Sequence, residues 1–205
     1  MLVASYNNKA FDDLLIVQLK ESAAKDQDFE KKEEISRIFD KETNETVGFN
    51  FFKVSEFIEM SQNGPVELSE EDVQKLNEAL KNAGFDESLT ADSSAKFVVG
   101  YVHECEAMED SDHLSITQTE VDNGEMLQIV CGADNIAKGQ KVVVAKPGAT
   151  MPDGTVIWPG ELRGVKSVGM ISSAKELNLK VPAEKEKGIL VLEDDYETGS
   201  AFEIE

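Results

Sequence analysis

The chain has 205 residues, 40% hydrophobic and 30% charged, and its 20 Lys and Arg against 41 Asp and Glu give a formal net charge of −21. So acidic a body repels polyanions at long range, which argues against generic nucleic-acid sticking, and no apolar run approaches the roughly 20 residues of a membrane-spanning helix. Met1-Leu2-Val3-Ala4-Ser5-Tyr6 lacks the cationic head and long apolar centre of a signal peptide, so a cytoplasmic protein with no membrane partner is expected.

Length allows two small domains, and the sequence divides accordingly into residues 1–90 and 96–205. Residues 2–6 and Leu14 to Leu19 read as strands, the second apolar enough to lie centrally in a sheet. Lys25 to Glu34 is polar and fits an exposed strand edge or a loop. Ile35 to Asp40 and Thr46 to Phe52 read as two strands joined by a hairpin loop, followed by a short helix from Ser55 to Met60 that stops at the breaker Asn63-Gly64-Pro65. The clearest helix spans Glu70 to Ala83, with Ser69 as N-cap, Asp72 in the capping-box position and Gly84 where the helix ends. Val73, Leu76, Ala79, Leu80 and Ala83 give it one apolar face, so it is expected to pack on the preceding sheet. Asp86 to Ser94 reads as a polar joint. An α+β N-terminal domain of unknown role is the expectation for this half.

From Lys96 the pattern becomes strand after strand. Phe97 to Cys105, Leu114 to Val121 and Glu125 to Cys131 alternate, with a turn at Asp122-Asn123-Gly124 and Leu127, Ile129 and Cys131 on one face. Gly132 to Gly139 reads as a loop with one helical turn, and Val142 to Val144 as a buried strand. Met151-Pro152-Asp153-Gly154-Thr155 has the residues of a hairpin turn, a strand lies around Met170, Ala174 to Asn178 is a helical turn, and Ile189 to Leu192 is a last strand. Several short strands with little helix point to a closed all-β barrel, because closure removes exposed edges. Cys105 and Cys131 lie in strand segments and read as reduced core thiols.

One window departs from the acidic background. Lys138 to Lys175 holds six cations (Lys138, Lys141, Lys146, Arg163, Lys166, Lys175) against Asp153 and Glu161, whereas Lys180 to Glu205 holds three cations and eight acids. A positive island on an acidic body points to a specific anionic partner; ordinary solvated surface charge is the alternative. Within it, Arg163-Gly164-Val165-Lys166-Ser167 combines two cations, a Gly that lets backbone approach a ligand, and a hydroxyl, a set that suits phosphate and ribose.

The second half resembles the tRNA-binding OB domain found at the start of the bacterial phenylalanyl-tRNA synthetase β subunit and in stand-alone tRNA-binding proteins. The likeness is carried by Leu127 to Asn135 (L-Q-I-V-C-G-A-D-N), Lys141 to Ala145, Glu161 to Met170 (E-L-R-G-V-K-S-V-G-M) and Ser173 to Leu177. With Thr46 to Asn50 and Leu76 to Phe85 in the first half, the whole chain resembles the YtpR-like stand-alone proteins of Gram-positive bacteria. The resemblance implies an OB barrel that recognises folded tRNA, with a homodimer and an aminoacyl-tRNA synthetase as further candidate partners. Arg163 and Lys166 match the family's basic motif, which implies phosphate contacts, Arg163 the bidentate one; a surface ion pair with Glu161 or with a carboxylate of the N-terminal domain is the alternative for either. Ser167 and Ser172 are candidates for ribose or phosphate bonds and equally for capping a turn. Met170 and Lys146 complete the candidate set, with barrel filling and an ordinary solvated cation as their alternatives. Trp158 either stacks on a base or closes the barrel end. Where the family has a His-Pro pair before Ala-Asp-Lys-Leu, this chain reads Met108-Glu109-Asp110-Ser111-Asp112-His113-Leu114, and the added acids disfavour that loop as an RNA contact.

Other chemistries find little purchase. His103, Cys105, His113 and Cys131 lack metal-ligand spacing, so no metal is expected. No nucleophile motif with a base and no G-x-x-x-x-G-K phosphate loop is present, so neither catalysis nor a cofactor is expected. The rival to tRNA binding is a protein-interaction module that docks a synthetase or other translation factor.

Overall fold

The structure, a computed structural model, describes residues 1–60, 62–183 and 186–204. Glu184, Lys185 and Glu205 of the acidic final segment thus lie outside the described residues. The chain divides into two compact units, Met1–Ser94 and Ala95–Glu205, and no helix among the described residues is long and apolar enough to cross a membrane.

In the first unit, β1 (Val3–Tyr6), β2 (Leu14–Gln18), β3 (Gln27–Lys32), β4 (Ile35–Asp40), β5 (Thr46–Phe52) and β6 (Gly64–Val66) form an antiparallel sheet in the order β3-β4-β5-β2-β1-β6. The two-residue period of β5 buries Phe49 and Phe51 completely. These rings share a core with Leu15, Val17 and the apolar face of helix α1 (Glu70–Asn82), namely Val73, Leu76 and Leu80. The helix start is a reciprocal cap: Asp72 N donates to Ser69 Oγ at 3.1 Å and Ser69 N donates to Asp72 Oδ2 at 3.0 Å. Its end is Gly84, at φ 81°.

Three expectations for this unit need correction. The helix expected over Ser55 to Met60 is a 3₁₀ turn, Val54–Glu56, fixed by the fully buried Val54 and a bond from its N–H to Asp13 O at 3.1 Å. The Asn63-Gly64-Pro65 breaker leads straight into β6, where Pro65 stands opposite Ser5; an edge strand tolerates a residue without an N–H. The polar joint after the helix is not loose. Phe85 and Leu89 are buried, and the Asn77 amide clasps Leu89 by both backbone groups, at 2.7 and 2.9 Å.

The second unit is built from β7 (Phe97–Ala107), β8 (Ser115–Glu120), β9 (Met126–Cys131), β10 (Lys141–Ala145), β11 (Gly160–Leu162), β12 (Val165–Ser167), β13 (Met170–Ile171) and β14 (Val191–Leu192). Its main antiparallel sheet runs β13-β10-β7-β8-β9, with β14 on β10 and β11–β12 as a separate hairpin. β7 carries a bulge between Val102 and Glu104 that bends the sheet. The free edge of β9 is met by the segment before β13, where Val168 N donates to Gln128 O at 2.8 Å, so the sheet is a nearly closed barrel. Val98, Val102, Ile129, Val142 and Val144 fill its interior. Val143 and Ala145 of β10 face a second cluster with Ala149, Met151, Leu177 and Leu190, which explains why β10 is apolar at every position but its first. Buried Thr117 is satisfied by donating to Ile129 O at 3.0 Å.

Here too the structure redraws details. Met151 to Thr155 does turn, with Gly154 N on Met151 O at 2.8 Å, and its flanks pair irregularly, through the bridge between Thr150 and Val156 and backbone bonds from Met151 N to Thr155 O at 2.7 Å and from Ile157 N to Ala149 O at 2.8 Å. The regular hairpin is β11–β12. Gly132 to Gly139 runs as turns without a helix, and Asn135 grips Ile189 through O at 3.0 Å and N at 2.9 Å, which leaves only Val191 and Leu192 as strand.

Glu87 ties the segment after α1 to the sheet. Its Oε1 accepts from Thr46 Oγ1 at 2.7 Å and pairs with Arg37 of β4. Burial pushes this carboxyl up, but the Thr46 hydrogen bond, a backbone bond and the Arg37 guanidinium together outweigh it and hold the pKa below the ordinary value. A folded pKa lowered in this way gives stability that is complete above the unfolded pKa and is lost as pH falls through the folded one. Glu87→Gln is therefore expected to destabilise the protein by about 1 kcal/mol at neutral pH, with the gap closing as pH falls through the lowered folded pKa, below which both chains are uncharged at this position. Urea unfolding of both proteins between pH 3 and pH 7 measures it.

Candidate nucleic-acid interface

The β11–β12 hairpin is where the candidate residues converge. Arg163 at φ 51° and Gly164 at φ 79° are both left-handed, which is the signature of a two-residue type I′ turn, and Leu162 faces Val165 across it. Gly164 is therefore demanded by the turn; the space beside it is also open, since an added Cβ would meet nothing within 4 Å. Glu161, Leu162, Arg163, Gly164 and Lys166 are all exposed. The hairpin projects a cation from its tip and another from its second strand.

Side chains pin its base to β9. Val130 N donates to Ser167 Oγ at 3.1 Å, and Gln128 Nε2 donates to Lys166 O at 2.7 Å. At the tip, Arg163 Nη1 donates to Asp110 O at 2.5 Å, which links the turn to the 108–114 loop. That loop is anchored by the buried Met108, whose N–H donates to Leu114 O at 2.8 Å. Its exposed acids, Glu109, Asp110 and Asp112, thus belong to the surroundings of Arg163, and the hydrogen bond from His113 holds Asp112 below the usual carboxylate range. Lys166 stands opposite Glu161, and its ammonium has no hydrogen bond or ion pair among the described residues.

The other candidates are placed differently. Lys146 is not a solvated cation: it is 7% exposed and its Nζ sits 2.7 Å from Asp122 Oδ1, so its charge is spent inside the unit. Ser172 is wholly buried and cannot reach a ribose; its backbone bridges Val143 and Leu190, and its hydroxyl has no partner. Ser167 caps no turn: its hydroxyl oxygen accepts from Val130 N of β9, which leaves its proton to donate. Met170 is half-buried against the Val143–Leu190 cluster and serves packing. The positive window as a whole also thins out, because Lys141 Nζ donates to the carbonyls of Asp194, at 2.7 Å, and Tyr196. Sequence reasoning missed Gln128 and the Asp110 carbonyl, since nothing local marks an outward Gln on a strand or a main-chain oxygen in a loop.

The soft ligands do not converge. His103 Nε2 lies 2.5 Å from Glu120 Oε2 with Tyr101 edge-on to its ring, while burial pushes the Cys131 thiol pKa up. Among the described residues no group of three or more His, Cys, Asp or Glu is placed to hold a metal ion.

Comparison with known proteins agrees with this division of the chain. Residues 97–201 match the family described as "Putative tRNA binding domain", and residues 22–92 match a domain described only as of unknown function. The "Putative tRNA-binding protein YtpR" of Bacillus subtilis is 51% identical over 201 residues, which cover 98% of this chain and 99% of that protein. The phenylalanine-tRNA ligase beta subunit of Oceanobacillus iheyensis is 50% identical over 115 residues, 54% of this chain but only 14% of the ligase subunit. That of Listeria monocytogenes is 42% identical over 133 residues, 62% of this chain and 16% of the subunit.

The burial of Lys146 carries a prediction. Lys146→Met leaves the Asp122 carboxylate without its partner, so stability should fall by about 2 to 3 kcal/mol, below the roughly 3 to 5 kcal/mol of a fully buried pair because Asp122 keeps some solvent. Chemical denaturation measures the loss. Polyanion affinity of the folded variant, and its salt dependence, should match the parent.

Proposed function

This chain belongs to the family of YtpR-like tRNA-binding proteins, and we propose that it binds tRNA through the cationic β11–β12 hairpin of its second unit, without chemistry of its own. The observation that carries the reading is Lys166, an exposed ammonium with no partner among the described residues, on a strand whose backbone is held by Gln128. Arg163 stands on the same hairpin and spends one of its five donors on Asp110, so the rest of its fork is open to a phosphate. Such a site offers charge and hydrogen bonds but few stacking surfaces, which favours reading the backbone and 2′-OH of a folded RNA over its base sequence. Binding of this kind fits a cytoplasmic protein that acts beside the translation apparatus. An aminoacyl-tRNA synthetase or a second copy of the chain would join it there as further partners.

Titration of tRNA across a salt series tests the proposal. Lys166→Ala should weaken binding by about 1 to 2 kcal/mol and Arg163→Ala by about 1.5 to 3 kcal/mol, as for charge-assisted hydrogen bonds. Each change should also flatten the slope of log affinity against log salt by about 0.7 to 0.9, the value for one lost phosphate contact. An unstructured RNA of equal length should bind far more weakly than any of several tRNAs. Unchanged affinity and slope in both variants would place the site elsewhere and favour docking of a protein partner instead.

A further inference from the structure

Gln118 and Gln128 stand directly opposite each other on β8 and β9. Their neighbours Thr117, Thr119, Leu127 and Ile129 are buried in the barrel, so the alternation of a strand turns both amides to the outer face, where they are half-buried. There they form a chain. Gln118 Nε2 donates to Gln128 Oε1 at 3.2 Å, and Gln128 Nε2 donates to Lys166 O at 2.7 Å. An amide has one acceptor and one donor end, and Lys166 O can only accept, so the carbonyl fixes which end of Gln128 faces the hairpin while the bond from Gln118 holds the other end. The donor end faces it.

Resting on the hairpin reading above, we infer that Gln128, oriented by Gln118, is a positioning residue that fixes the backbone of Lys166 and thereby aims its ammonium at an RNA phosphate. The need for such a device follows from the topology. β11 and β12 pair only with each other and lie outside the main sheet, so no ladder of backbone bonds fixes their angle to β9. Of the bonds from β9 to this segment, Val168 N to Gln128 O lies beyond the hairpin and Val130 N to Ser167 Oγ acts through a hydroxyl; among the described residues only the Gln128 amide reaches the main chain of Lys166 itself. Lys is a point charge on a long stem, so freedom at its Cα adds to the freedom of the side chain and dilutes the contact.

A double-mutant cycle on the full chain reads this directly, with tRNA affinity measured over a salt series for the parent, Gln128→Met, Lys166→Ala and the double variant. Met keeps the length of the side chain and adds no charge. Gln128→Met should weaken binding roughly 3- to 10-fold in the parent and less than about twofold in the Lys166→Ala background, and it should shift the salt slope towards that of Lys166→Ala. Gln118→Met should show a weaker effect of the same kind. Equal losses in both backgrounds, or no loss in the parent, overturn the positioning role while leaving the hairpin reading intact. If Lys166→Ala itself binds like the parent, the positioning role falls, and the hairpin reading falls with it only where Arg163→Ala also binds like the parent. Thermal unfolding of every variant separates these outcomes from loss of the barrel, since a merely structural role lowers the melting temperature and weakens binding alike with or without Lys166.

Discussion

Closure of the barrel between β9 and β13 is the constraint on which the second unit turns. An open antiparallel sheet ends in unpaired N–H and C=O groups, and β13 is too short to cover the edge of β9 by itself. The chain covers it by passing residues 166–168 along β9, with a main-chain bond at Val168 and side-chain bonds from Gln128 and to Ser167. Gly169 then turns at φ 111°, where any Cβ would lie 3.0 Å from Ala145 O, and delivers the chain to β13. The cationic hairpin is the excursion that precedes this seam. Its orientation and the closure of the barrel are therefore set by the same few bonds.

The second theme is how an acidic protein uses its few cations. Lys141 closes on the carbonyls of Asp194 and Tyr196, Lys146 neutralises Asp122 out of water, and Arg37 gathers Thr46, Asn44 and Glu87. Each acts as an internal tie, and those of Lys146 and Arg37 are the costly ones to break, because a desolvated charge costs several kcal/mol unless something pairs it. Counting charges along the sequence cannot separate these ties from free cations. Burial and pairing do so, and of the exposed cations left in the window, Lys138, Arg163, Lys166 and Lys175, Arg163 and Lys166 are the two that share one element, the projecting hairpin.

How far the sequence could be read follows from the range of the forces involved. The helix was fully legible, because the Ser69–Asp72 cap, the period of Val73, Leu76 and Leu80, and the left-handed Gly84 are all local. The inward face of β9 and the buried run of β10 were legible for the same reason. The Val54–Glu56 turn and β6 were not, since the first depends on a bond to Asp13 and the second on pairing with β1, both distant in sequence. In the site, Met151 to Thr155 holds stronger turn residues than Arg163-Gly164, yet the regular hairpin forms at the latter. What decides is the edge of β9, a tertiary feature. Lys146 and Ser172 looked like site residues because Lys and Ser are usually exposed, and each is instead enclosed by strands that meet only in the fold.

The opposition between net charge and site becomes useful on the proposed reading. Repulsion from a body of charge −21 acts on any polyanion, and at physiological salt it decays over about 8 Å. Attraction at the hairpin acts only at hydrogen-bond distance, and only on an RNA that brings phosphates to Arg163 and Lys166 together. The first effect lowers the affinity for every RNA by a similar factor and leaves their ratio unchanged, while the second raises it only for those of the right shape, so the hairpin supplies the discrimination and the repulsion keeps the unselected RNAs below a useful affinity. The acids at 109–112 around Arg163 extend the same logic to the site itself. They raise the penalty for a phosphate that approaches Arg163 without also engaging Lys166, which makes the fixed geometry between the two cations, and not their number, the quantity that selects the ligand.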